Sequence, residues 1–151
     1  MKQFFTLVGL LALSFSAAAQ VQRSPRVDVI NGDYSNNAVP LSANYTIPYA
    51  IGENRYMLIV FMGEFSGPSI SYPTAISYGG VPATQLATSV GATDRVATVV
   101  FSIQGNALDA AGIAAGSTNT LNITWNSRND GSYLLSMGTF KYVSQVAGIS
   151  S

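Results

Sequence analysis

The chain has 151 residues, with seven basic and seven acidic side chains, no histidine and no cysteine. These absences exclude Ser-His-Asp and Cys-His catalysis, His- or Cys-ligated zinc or copper, and any disulfide staple. Charged residues make up only 9%, against about 25% in an average soluble domain. No lysine or arginine cluster offers a nucleic-acid footprint.

The first twenty residues, MKQFFTLVGLLALSFSAAAQ, place Lys2 before an apolar run from Phe4 to Phe15 and then Ala17-Ala18-Ala19. This is the three-part layout of a secretory signal peptide, with cleavage expected after Ala19. The run falls short of the ~20 apolar residues that span a bilayer, and no later run spans one. The expected product is an exported chain at the cell surface, in the medium or in the periplasm. Residues 20–151 are of single-domain size, and loss of Lys2 leaves six basic against seven acidic residues, a net charge of −1. Near-neutrality gives weak protection against self-association.

After the leader, runs rich in Val, Ile, Thr, Tyr and Phe alternate with Gly, Pro and Asn at short intervals, the pattern of a sandwich or barrel. RVDVI reads as a first strand and NGDYSNN as the loop after it. ANYTIPY alternates Tyr45, Ile47 and Tyr49 with polar residues, and Pro48 points to an edge position. RYMLIVFMGEF is near-continuously apolar and reads as a strand buried on both faces. In AISYGGVPATQLATSV, Gly79-Gly80 separates two β-patterned segments. Pro82 follows and no lysine is near, so the pair reads as a hairpin turn and not as a phosphate loop.

RVATVVFSI is a second apolar strand. NALDAAGIAAGS breaks the β pattern and reads as a short helical crossover between sheets. Asn106 is its candidate cap, Asp109 lies near its positive end, and Gly116 is its candidate stop. NTLNITWN alternates again, with Leu121, Ile123 and Trp125 on one face and Trp125 as a core anchor. Asp130-Gly131 reads as a hairpin signal, and YLLSMGTFKYVSQ returns as the last strand. The prediction is all-β: an antiparallel β-sandwich, jelly-roll-like, of about eight strands with one short helical crossover.

Candidate chemistry is sparse. A Ser-Lys dyad would rest on Lys141, the one lysine left after the leader, in a strand position expected to be solvated. A glycosidase needs two carboxylates facing a cleft. Glu53, Asp94, Asp109 and Asp130 sit at turns or strand ends, where acids ordinarily serve solvation, and Glu64, ending the apolar strand, is less ordinary. Calcium takes six to eight oxygens. The loops NGDYSNN and NSRNDGS offer one carboxylate each, Asp33 and Asp130, among residues that are also the usual stuff of turns. Tyrosines at loops and strand ends are the richer signal. Tyr34, Tyr72, Tyr78 and Tyr133 are candidates to stack on a sugar ring or contact a protein, and the competing reading makes them half-buried core at the sandwich ends.

The phrases ENRYMLIVFMGEF, AISYGGVPATQLA, RVATVVFSI, AGIAAGSTNTLNITWN and MGTFKYVSQ occur in that order. The order resembles a poorly characterised β-sandwich domain of secreted and cell-surface bacterial proteins. There an Asn-Arg-led strand precedes a Tyr-Gly-Gly hairpin, an apolar strand and a Trp-bearing strand. The resemblance covers about residues 25 to 145. It implies a secreted module, often within a multidomain protein of a Gram-negative bacterium, with no family activity to carry over. Such domains continue past the last matched phrase, so a chain shortened at its C-terminus is an expectation of the resemblance. The functional expectation is a non-enzymatic structural or adhesive module, its partner another protein chain, a second copy included. The alternative is a carbohydrate-binding module that uses loop tyrosines on a surface glycan.

Overall fold

The computed structural model describes residues 21–35, 38–66, 69–91, 93 and 95–143. The expected leader and cleavage site lie outside them, as do Asn36, Asn37 and Asp94. Within them the chain runs β1 (Gln22–Arg23), β2 (Val27–Tyr34), β3 (Ser42–Thr46), β4 (Tyr56–Phe65) and β5 (Pro73–Tyr78). It continues with β6 (Val81–Pro82), β7 (Thr84–Gly91), β8 (Val96–Gln104), α1 (Gly105–Ala110), β9 (Thr118–Trp125) and β10 (Gly131–Lys141).

The strands form two antiparallel sheets. In the first, β1 and β2 share one edge of β10, and the order continues β10–β4–β8–β7. The second runs β3–β9–β5–β6. The pairs β2·β10, β3·β9, β4·β8 and β5·β6 nest one inside the next. They are the arms of one long hairpin, rolled so that successive pairs fall in opposite sheets. This is jelly-roll connectivity, and the tip of the rolled hairpin is Gly79-Gly80. Tyr78 faces Val81 across it, and the two glycines have φ of +56° and +83°, the positive values a tight two-residue turn requires.

Alternation along each strand fills the space between the sheets. Met57, Ile59 and Phe61 of β4 face inward, as do Val99, Phe101 and Ile103 of β8 and Leu135 and Met137 of β10, all essentially without exposure. Ile76, Leu121 and Ile123 answer from the second sheet. At one end Trp125 stands edge-on to Phe61 and Tyr133, with ring centroids 5.4 and 5.5 Å away, and its indole N–H donates to Pro40 O at 3.0 Å. Such edge-to-face pairs add about 0.5–1.5 kcal/mol beyond area burial, so Trp125 is the anchor its strand pattern predicts.

Several local readings are corrected. β2 continues to Tyr34, so Asn31 to Tyr34 are strand and not loop. β3 stops at Thr46, before Pro48, although Ile47 still enters the core. Asp130-Gly131 makes no hairpin, because β9 and β10 lie in different sheets. Gly131 serves clearance instead: a β-carbon there would lie 2.5 Å from Glu64 O. The helix is preceded by Gln104 with no side-chain cap, so Asn106 lies inside it and Asp109 near its C-terminal end. Gly112, at φ +68°, follows the last turn well before Gly116.

The largest correction concerns β4. Leu58 and Val60 are half-buried and Met62 is 43% exposed. Its apolar run does not mean two covered faces; the outer face of the first sheet is open.

Candidate functional site: the outer face of the first sheet

Residues opposite one another in an antiparallel pair project to the same side, so the registers lay out the outer face in rows. On β4 the outward column is Tyr56, Leu58, Val60, Met62 and Glu64. β10 sets Phe140 beside Tyr56, Gly138 beside Leu58, Ser136 beside Val60, Leu134 beside Met62 and Ser132 beside Glu64. β8 adds Val100 beside Val60 and Val96 beside Glu64. Beyond β10, Arg23 lies opposite Phe140 and Asp33 opposite Ser132. An apolar stripe on β4 and β10 crosses the middle of the face, flanked by Ser102 and Thr98 on β8 and by Ser136 and Asp28 toward the β2 edge. One end carries Arg23 and the other Asp33 and Glu64.

Gly138 opens a groove in this face. Nothing stands within 4 Å of where its β-carbon would be, and the space of about 210 Å³ is walled by Leu58, Val60, Met62 and Phe140, with Arg23 and Arg26 at the rim. Beside it Ser136 Oγ donates to Asp28 Oδ1 at 2.6 Å, and Asp28 also accepts from Arg26 at 3.1 Å.

The acidic end holds two adjoining grooves of about 400 and 530 Å³ that share Asp33, Glu64 and Ser132. Ser132 Oγ donates to Asp33, and Asp130 lines the larger groove. The two expected calcium ligands, Asp33 and Asp130, therefore meet at one place, Asp33 from a strand and not from a loop. Among the described residues no three His, Cys, Asp or Glu side chains gather to hold a metal. The loop amides serve the chain itself: Asn126 Oδ1 accepts from Tyr72 N at 2.7 Å, and Asn129 Nδ2 donates to Ser69 O at 3.2 Å.

The candidate tyrosines separate. Tyr78 and Tyr133 are 0% and 2% exposed, so their rings belong to the core and not to a stacking surface. Each follows the inward phase of its strand, Tyr78 with Ile76 and Tyr133 with Leu135. Tyr78 Oη donates to Tyr45 O at 2.8 Å and Tyr133 Oη to Asn129 O at 2.5 Å. Burial pushes both phenols above their ordinary pKa of 10. Tyr34 and Tyr72 are half-buried. Tyr34 stands edge-on to Tyr133 at 5.8 Å, and Tyr72 belongs to the loops at that same end. Tyr78 lies at the opposite end, edge-on to Tyr45 at 5.9 Å.

Two further ion pairs lie away from these grooves. Lys141 bonds Glu53 at 3.1 Å and lies 5.1 Å over the Tyr49 ring and 4.8 Å over that of Tyr142. The Ala50 N–H first, then Lys141, hold the Glu53 carboxyl below its ordinary value. Glu53 first, then Tyr142, raise the Lys141 ammonium above its ordinary value. Lys141 thus keeps its proton at neutral pH, the wrong state for the base of a Ser-Lys dyad. Arg55 is fully buried, pairs with Asp109, and donates to Tyr49 O at 3.0 Å and Ile113 O at 2.7 Å. Of the carboxylates considered for glycoside chemistry, Glu53 and Asp109 are engaged in these pairs, and Glu64 and Asp130 line the acidic grooves.

Neither a protein-family model nor a curated protein matches the chain. The residues that carry the bacterial resemblance act here as scaffold. Asn54 adopts φ +48° at the entry to β4, Arg55 is the buried clamp, Gly79-Gly80 is the hairpin tip, and Trp125 anchors the core. The open apolar face was not picked out from the sequence. Its signal was there in Leu58, Val60 and Met62, the alternate residues of a run read as wholly buried.

Proposed function

We propose that this chain is a non-enzymatic module of a secreted or cell-surface bacterial protein, with a structural or adhesive role. The observation that carries the reading is the open outer face of the first sheet, where Leu58, Val60, Met62, Leu134 and Phe140 form one apolar surface between oppositely charged ends. A contiguous exposed apolar patch on a folded domain marks an interaction surface. The signal-peptide layout, the charge-poor composition and the order of the family-like phrases support the exported setting. Burial of Tyr78 and Tyr133 weighs against glycan recognition by the tyrosine set, leaving Tyr34 and Tyr72 as its carriers.

The test is retention of beads coated with the purified chain on two surfaces, a panel of immobilised glycans and an outer-membrane protein film prepared from cells that export the chain. The expected result is retention on the protein film that falls at least tenfold with Val60→Lys and is unchanged by Tyr34→Ala. Retention confined to glycans and lost with Tyr34→Ala or Tyr72→Ala would transfer the function to carbohydrate binding.

A further inference from the structure

We infer that the partner of the outer face is a second copy of this chain, docked about a two-fold axis that lies in the face and crosses the strands at Val60. The inference rests on the adhesive reading above and names the partner. Its basis is that the face is complementary to itself at its charged ends and along the β4–β10 apolar stripe. In the axis row Asp28 faces its own copy, each carboxylate already paired with Arg26 and held by Ser136. An axis along the Val60 row exchanges the two ends of every strand while keeping each strand over its own counterpart. Arg23, beyond β10 at one end, then lies over Asp33 of the second copy, which occupies the same edge at the other end. The bare stretch at Gly138 comes under Leu134, Leu58 comes under Met62, and Val60 meets Val60. The groove of about 210 Å³ over Gly138 is a hole facing a leucine knob.

The size fits. Five strand positions at ~4.8 Å and nine residue lengths at ~3.3 Å make a face of roughly 24 by 30 Å, about 700 Å². An interface of standard size takes about 800 Å² from each partner. Two-fold, self-complementary interfaces are the commonest closed assembly, and aligned sheets pack within about 30° of one another, an offset that a long arginine side chain spans. A net charge of −1 on residues 20–151 opposes the pairing little. Edge-to-edge pairing through β7 is the less favoured route, because that edge is broken by a bulge between Gln85 and Ala87.

Sedimentation equilibrium of the purified exported chain between 1 and 100 μM is expected to show a monomer–dimer equilibrium. Val60→Lys, which sets two lysines against each other on the axis, is expected to weaken it at least tenfold. Arg23→Glu and Asp33→Arg are each expected to weaken it, and the double variant to restore it. Within one chain these residues lie roughly 26 Å apart, eight residues of strand, so only contact between copies explains that rescue. Folding of each variant is checked by circular dichroism, and the charge swap remains decisive if Val60→Lys does not fold. A monomer at every concentration, or additive losses without rescue, overturns the inference. Should beads still bind the protein film while the chain sediments as a monomer, the adhesive reading survives with a different partner; loss of both ends both.

Discussion

Gly105→Ala is expected to destabilise the fold by about 3 kcal/mol or more, and at the upper end to abolish cooperative unfolding. A β-carbon at Gly105 would collide with the Arg55 carbonyl oxygen and come within 2.6 Å of the Arg55 backbone nitrogen. Both are backbone atoms fixed at the start of β4, between β8 and β10, so no side chain can swing aside. Overpacking in a tight core costs about 1–3 kcal/mol and more where backbone must shift. Typical domain stability is only about 5–15 kcal/mol. Urea unfolding followed by circular dichroism measures the loss, and Gly138→Ala is the control. Position 138 has open space around its β-carbon, so alanine there is expected to be neutral or to stabilise by about 0.5–1 kcal/mol. Equal losses at the two glycines would contradict the close approach of Gly105 to the Arg55 backbone.

Arg55→Met is the second large effect, expected at about 3–5 kcal/mol, the range for breaking a buried charge pair by removing one partner. The guanidinium donates to two carbonyl oxygens, Tyr49 O and Ile113 O, and to Asp109. It thereby ties the loop before β4 to the segment after α1. Methionine fills the volume but leaves both carbonyls without this donor in a dry site. Asp109 is about a quarter exposed, so water screens part of the ionic term. Asp109→Asn is expected to cost a comparable amount, about 3 kcal/mol, because it leaves the buried Arg55 guanidinium without its counter-charge. It also turns an amide NH2 toward either Arg55 or the Gly52 N–H, both of which Asp109 now accepts from. Arg55→Lys is expected to stay well below wild type, because a compact ammonium lacks the planar fork that reaches separated acceptors. Urea midpoints rank the three variants, and an Arg55→Met protein as stable as wild type would refute the clamp.

The elements legible in the sequence were those set by local chemistry. Gly79-Gly80 supplies a conformation no other residue adopts cheaply, and Leu121, Ile123 and Trp125 alternate at strand period, so hairpin tip and core face followed directly. Readings that failed depended on what lay across space. An apolar run looks the same whether or not anything covers its second face, and β4 was misjudged for that reason. Asp130-Gly131 has hairpin composition, yet its glycine answers a close approach by Glu64 O, invisible without the partner strand. Nothing in the sequence marked Arg55 as a buried clamp, because its acceptors, Ile113 O and Asp109, stand more than fifty residues along the chain. The candidate site was half visible: Asp33, Asp130 and Tyr34 do gather at one end, whereas the apolar face exists only once the strand registers are known.

Oxidation of Met62 by dilute peroxide, read by mass spectrometry, tests most directly whether the outer face is the working surface. Met62 is 43% exposed on that face, while Met57 and Met137 are fully buried in the core, so the chain carries its own controls for unfolding. In dilute purified protein, Met62 is expected to oxidise readily and the two core methionines slowly. On cells that export the chain, Met62 is expected to be protected several-fold with the core methionines unchanged. Met62 oxidising as fast on those cells as in dilute solution would mean that the face stays bare where the protein works, and the adhesive reading would fall.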